Sequence, residues 1–177
     1  MPLIDLTVET FSRRHVPEML DWFADVGAVV QWGGPGLSFP LKVAHLEAML
    51  AETETAEPAR WMFAGLASSK LAGHAQVALD WQNGVGRLSR VAINSQVRGR
   101  GLAKPFLREV VDRFFTNPAF ERLELNVYTF NEAAIRTYHN LGFREEGVRR
   151  SSVKVGDTRW DTAIYGLLRS EWAASSD

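Results

Sequence analysis

Gln96-Val97-Arg98-Gly99-Arg100-Gly101-Leu102-Ala103 decides the fold, because it joins a strand to a helix through two glycines. Upstream, residues 87–93 alternate and then run apolar, which reads as a strand ending in Val91, Ala92 and Ile93. Downstream, Leu102, Phe106, Leu107, Val110, Val111, Phe114 and Phe115 recur at helical spacing, so a helix opens near Gly101. Gly99 and Gly101 let the backbone take positive φ and leave no Cβ in the way, so successive N–H groups can point at one anion. The helix N-terminus adds free donors and partial positive charge. Arg98, Arg100 and Lys104 bring cations to the same place, which suits a ligand carrying more than one phosphate. A Walker loop needs a longer gap and a hydroxyl after its lysine, and this run has neither. A dinucleotide fingerprint needs a third glycine where Lys104 stands.

The next informative stretch is Leu123-Glu124-Leu125-Asn126-Val127, followed by Asn131-Glu132-Ala133-Ala134-Ile135-Arg136-Thr137-Tyr138 and Leu141-Gly142-Phe143. The first piece alternates as a strand with Leu123, Leu125 and Val127 on one face. Asn131 suits a helix N-cap, and Gly142 suits a left-handed helix terminator. Together with Gln96, Gly99 and Gly101 in the three defining places of a Q/R-x-x-G-x-G/A motif, this order resembles the GNAT-type acyl-CoA-dependent N-acyltransferases. The segment Gly156-Asp157-Thr158-Arg159-Trp160-Asp161 and the apolar run after it look like the closing hairpin of relatives that acetylate protein N-termini or small amines. The resemblance covers most of the chain and is weakest over residues 1–60.

Composition agrees with a compact enzyme. One domain spanning residues 1–177 is expected, and neither a linker nor a repeat is visible. A net charge of −1 with scattered Lys and Arg gives no basic stripe for nucleic acid. The absence of cysteine excludes disulfides, cysteine-ligated zinc and an acyl-cysteine intermediate on this chain. Asp5 and Glu9 stand where a signal peptide carries basic residues, and no apolar stretch reaches membrane-spanning length. The expected location is therefore cytoplasmic, with no membrane partner. His15, His45 and His139 lack metal-ligand spacing, so no metal is expected.

Along the chain, residues 3–10 read as a strand and residues 16–23 as a helix with Pro17 near its start. Residues 31–36, Gln-Trp-Gly-Gly-Pro-Gly, read as a loop, and residues 43–50 as a helix. Residues 60–67 and 71–79 form a hairpin around Ser68-Ser69-Lys70, with the next turn at residues 81–84. Short turns over residues 60–93 imply antiparallel strands, whereas the helix after Gly101 implies a parallel crossover. The fold class is thus α/β with a mixed sheet.

The resemblance implies more: a central, mostly antiparallel sheet with helices on both faces and one parallel pair of strands that splay apart. It implies acetyl-CoA as cosubstrate, with the pantetheine arm in the gap beside Val91, Ala92 and Ile93. The pyrophosphate lies on the run Arg98, Gly99, Arg100, Gly101, Leu102, Ala103 and Lys104, and Asn131 contacts the arm. Backbone donors near the thioester also stabilise the oxyanion formed on attack. Tyr138, seven residues after Asn131 as in relatives, is the general acid that protonates the departing coenzyme A thiolate. Acyl transfer is expected to be direct, in a ternary complex.

The general base is open. Relatives carry a Glu on one of the splayed strands, and here Asn126 stands in one such place. Glu124, His74 and Asp161 are the side chains available, each also explained as an ion-paired, hydrogen-bonded or hairpin residue; a chain of waters is the other route. Trp32 and Phe39 border the acceptor cleft or plug the core. Pro105 falls in the first turns of the helix after Gly101 and predicts a kink or a shortened first turn there. The expected acceptor is a primary amine, on a small molecule or a protein N-terminus, and a homodimer is compatible with the resemblance. The alternative of a different kind is a noncatalytic acyl-CoA-binding or sensing domain that has lost its base.

Overall fold

The computed structural model describes residues 6–174. In chain order its elements are β1 (Leu6–Thr10), α1 (Val16–Met19), α2 (Val26–Gly33), α3 (Val43–Ala51), β2 (Arg60–Ala67), β3 (Lys70–Asp80), β4 (Val85–Ile93), α4 (Ala103–Thr116), β5 (Arg122–Tyr128), α5 (Glu132–Asn140), β6 (Arg144–Val155), β7 (Thr158–Leu168) and α6 (Arg169–Ala174). The strands make one sheet in the order β1-β2-β3-β4-β5-β7-β6. All neighbours are antiparallel except β4 and β5. Local chemistry explains the hairpins: Ser68 and Ser69 both take positive φ, +51° and +62°, giving a turn whose twist matches its strands.

Alternation along β2 sorts side chains to the two faces of the sheet. Phe63 joins a core with α4, where Phe106, Leu107, Val110, Val111, Phe114 and Phe115 all point at the sheet. Met62 and Ala64 face a second core with Met19, Val29, Trp32, Leu46 and Met49 from α1, α2 and α3. Helices therefore cover both faces, as the resemblance implies. On the α4 side the helix lies close because the strands beneath carry glycine. A Cβ on Gly65 meets the Phe106 ring at 2.7 Å, and one on Gly86 meets the Phe114 ring at 2.4 Å. Each of those buried rings contributes about 1.5–3 kcal/mol by leaving water.

Two of three expectations for the N-terminal third need correction. The strand expected over residues 3–10 is present as Leu6–Thr10, with residues 3–5 outside the described residues. The helix expected over residues 16–23 closes after Met19. Residues 31–33, read as loop, are instead the last turn of α2. Asp25 caps that helix by accepting from the Ala28 N–H at 2.8 Å, and Val29, Val30 and Trp32 bury its inner face. The glycine-rich signal belongs to its exit: Gly34, at φ +84°, donates its N–H to the Val30 carbonyl.

The feature that positions the site is the opening between β4 and β5. Their parallel pairing runs from Val85 with Arg122 to Leu88 with Leu125 and goes no further. Beyond it, β4 continues against β3, and β5 against β7. A bulge marks the divergence. Between Gln76 opposite Ser89 and His74 opposite Ala92, β4 carries an extra residue, and Arg90 adopts φ +49°.

Candidate functional site

The loop leading out of β4 is built to stay open. Asn94 accepts the Gln96 N–H at 3.0 Å and starts a single 3-10 turn over Ser95–Val97. Arg98 then folds back, its Nε donating to the Ile93 carbonyl at 2.9 Å. Gly99 and Gly101 take φ +76° and +74°, with nothing within 4 Å of where a Cβ would stand. Among the described residues, the N–H groups of Gly99, Arg100, Gly101, Leu102, Ala103 and Lys104 make no backbone hydrogen bond. Unpartnered amides at the N-terminus of a 14-residue helix suit a polyanion. Pro105 sits at the third position of α4, where its missing N–H has no intrahelical acceptor to lose. The expected disturbance reduces to a later start, Ala103 rather than Gly101, and the first bond donated is from the Phe106 N–H to Leu102 at 3.1 Å.

Two cavities meet at the opening. The larger, about 540 Å³, runs from the glycine loop along Val91, Ala92 and Ile93 to α5, touching Arg98, Gly99, Gly101, Leu102, Ala103, Asn131 and Tyr138. The smaller, about 380 Å³, lies further along the splay between Arg87–Val91 of β4, Asn126–Tyr128 of β5, the end of α2, and Arg149, Val153 and Thr162 of the closing hairpin. Gln31, Trp32, Val91, Asn131, Ala134 and Tyr138 belong to both, so these residues form the junction.

At that junction Tyr138 is 6% exposed and edge-on to Phe143, 5.9 Å between ring centres. Burial pushes its phenol well above the usual tyrosine range, so the hydroxyl stays protonated and has a proton to donate. Asn131 caps α5 by accepting the Ala134 N–H at 3.3 Å, which leaves its amide N–H₂ available to the cavities. Trp32 donates its indole N–H to the Arg90 carbonyl at 2.7 Å and lies on Phe23. That bond pins the bulge of β4 to α2.

The remaining expected site residues lie elsewhere. Phe39 is 43% exposed and lines neither cavity. Arg100 and Lys104 are exposed and also outside both. None of the three base candidates reaches a cavity wall. Glu124, on the paired part of β5, holds Arg87 at 2.6 Å and Arg122 at 3.2 Å. Asp161 accepts the Ser151 N–H at 2.6 Å and fastens the bulged β6 to β7. His74 is fully buried between Phe11 and Trp32, with Nε2 3.1 Å from the Gln76 amide. Desolvation first, then the charges of Arg90 and His15, lower its pKa from 6.5 to about 3, so it is a neutral core histidine. Among the described residues, no Asp, Glu, His or Lys lines either cavity.

Sequence reasoning missed Gln31, Ser89, Arg90, Arg149 and Thr162 in the smaller cavity. It also missed an aromatic group at the rim, where Phe130 stacks on Tyr128 at 5.7 Å and Trp160 meets both edge-on. Arg90 is half-buried, and its pKa is lowered by desolvation and by the neighbouring charge of Arg60. Among the described residues, no group of three or more His, Cys, Asp or Glu is placed to hold a metal ion. No helix there is long and apolar enough to cross a membrane.

The fold is that of solved N-acetyltransferases. The spermidine N-acetyltransferase from Vibrio cholerae, solved with CoA and spermine, superposes with a TM-score of 0.80 over 95% of this chain and 98% of that one, at 18% identity. The chain belongs to the acetyltransferase (GNAT) family, whose model matches residues 17–143. Among curated relatives, an uncharacterised prophage-derived N-acetyltransferase of Bacillus subtilis (strain 168) is 32% identical over 46% of this chain and 46% of its own length. The match to that relative thus spans under half of either protein. An aminoglycoside N(6')-acetyltransferase type 1 of Klebsiella pneumoniae is 24% identical over 80% of this chain and 75% of the relative.

Proposed function

We propose that the chain is an acetyl-CoA-dependent N-acetyltransferase that moves an acetyl group directly onto a primary amine. The observation that carries this reading is the meeting of two cavities at Tyr138, one floored by free loop amides and the other open to an acceptor. The amides of residues 99–104 hold the pyrophosphate, with the α4 N-terminus behind them. The unpaired edge of β4 at Val91–Ile93 hydrogen-bonds the pantetheine arm and polarises the thioester carbonyl. Asn131 contacts the arm, and Arg98 keeps the loop folded onto the end of β4. Trp32 walls the junction.

In the reaction a neutral amine attacks the thioester carbonyl, the new C–N bond forms, and the C–S bond breaks. The amine's surplus proton leaves to water, since among the described residues no carboxylate, histidine or lysine lines either cavity. Tyr138 donates its proton toward the thiolate sulfur and is recharged from solvent. No cysteine exists to carry the acetyl group, which requires the direct route over a cysteine-bound one.

The test is a coenzyme A thiol-release screen with acetyl-CoA against amines and N-terminal peptides. Release above hydrolysis, with a mass gain of one acetyl group on the amine, supports the reading. One observation favours a second reading, a noncatalytic acyl-CoA sensor: among the described residues no carboxylate or histidine lines the cavities. Saturable acetyl-CoA binding with no release for any amine selects the sensor.

A further inference from the structure

We infer that the smaller cavity takes a small amine that also carries a carboxylate or phosphate, and that it disfavours polyamines. This rests on the transferase reading for the amine and on the charges of the cavity for the anion. Among the described residues, three arginines line that cavity, Arg87, Arg90 and Arg149, and no acidic residue does. Their compensation is unequal. Arg87 is neutralised by Glu124, which also holds Arg122, itself paired with Glu146 at 2.5 Å.

Arg90 and Arg149 make no ion pair among the described residues. The Arg90 Nη1 donates to Gln76 Oε1 at 3.1 Å, an oxygen already taken by Arg60 at 2.6 Å. The Arg90 Nε is buried with no partner at all. The carbonyl end of α2 is adjacent, with Nε 3.9 Å from where Gly33 would carry a Cβ, and offers only partial negative charge. Glu52 is the nearby carboxylate, but it is bonded to Arg60 at 2.7 Å; a half-buried guanidinium without a direct ion pair is a costly state, and a carboxylate or phosphate meets its fork of donors with matching geometry. Arg149, exposed on β6 across the cavity, is the second cation.

The same charges act on the amine. Nearby positive charge disfavours an ammonium, so the reactive neutral form gains in a cavity that has no base. A polyamine meets two unbalanced cations and no carboxylate. The volume of about 380 Å³ matches a compact ligand, and Ser89, Asn126 and Thr162 offer it hydrogen bonds.

The experiment compares matched pairs: amino acids against their carboxamides, amino-sugar phosphates against the parent amino sugars, and spermidine. Calorimetric binding to the coenzyme A complex and thiol release from acetyl-CoA are both read. The anionic member of at least one pair binds at least tenfold more tightly than its neutral partner, and spermidine binds least. The responding pair tells carboxylate from phosphate. Arg149→Gln reduces that ratio to below threefold, Arg149→Lys restores part of it, and Arg90→Gln reduces it further. Equal binding within every pair, tighter binding of spermidine, or a ratio unchanged in both Gln variants overturns the inference. Anion-selective binding without thiol release from any amine instead overturns the transferase reading and leaves the charge inference standing.

Discussion

Replacing Tyr138 by Phe removes one oxygen at the junction of the cavities and little else. The ring is 6% exposed and packs edge-on against Phe143 at 5.9 Å, contacts that phenylalanine keeps. The fold should hold, with a melting temperature within a few degrees of the parent. A positioned proton donor supplies roughly 10²–10⁴ in rate, equivalent to about 2.7–5.4 kcal/mol of barrier. In the proposed mechanism the buried, protonated hydroxyl of Tyr138 is the donor to the leaving sulfur. Its loss should therefore appear in kcat. The floor of the donor cavity is backbone from the glycine loop, so the KM for acetyl-CoA and the calorimetric Kd of coenzyme A should stay within about threefold. Thiol release under saturating acetyl-CoA, with calorimetry alongside, separates the two. A kcat within twofold of the parent removes Tyr138 from the proton transfer; an equal loss in coenzyme A affinity makes it a packing residue.

Other perturbations probe separate parts of the account. Gly101→Ala puts a Cβ at φ +74°, a strain of about 1–2 kcal/mol, and into the space over the loop amides; acetyl-CoA KM should rise about tenfold or more. Steady-state kinetics checks it, and an unchanged KM contradicts the loop's role. Gly86→Ala drives a Cβ into the Phe114 ring at 2.4 Å, and urea unfolding should show a loss of about 1–3 kcal/mol. His74 is held neutral in the fold down to about pH 3, whereas the unfolded chain protonates it below 6.5. Its contribution is full above pH 6.5 and is lost as pH falls toward 3, about 2 kcal/mol by pH 5. The urea midpoint should fall less steeply in His74→Gln, and parallel slopes refute that burial. With no base lining the cavities, log(kcat/KM) should rise with unit slope to the pKa of whichever amine is used, and a break that ignores the amine points to an enzyme group.

What the sequence revealed and what it concealed divide along physical lines. Gly99 and Gly101, Asn131 as a cap, and Gly142 at φ +93° are local requirements, and local requirements are legible as residue types. The parallel crossover followed from a helix between two strands. The α2 helix was hidden because Gly-Gly-Pro-Gly at its exit outweighed the Asp25 cap at its entry. Arg90 in a left-handed conformation carries no sequence signal, since the bulge is imposed by its neighbours across the sheet. The arginine wall was invisible for another reason: Arg90 and Arg149 come from strands distant in the chain and meet only through the fold. Glu124, His74 and Asp161 line neither cavity, because a residue type says nothing about facing one, and each is held by other partners.

Direct transfer across the junction at Tyr138 is the central claim, and rapid quench with isotopically labelled acetyl-CoA tests it most directly. In the presence of an accepted amine, label should pass to the amine in step with thiol release, and the intact protein should never gain an acetyl mass. An acetylated protein that forms without amine and then delivers its label to the amine would contradict it.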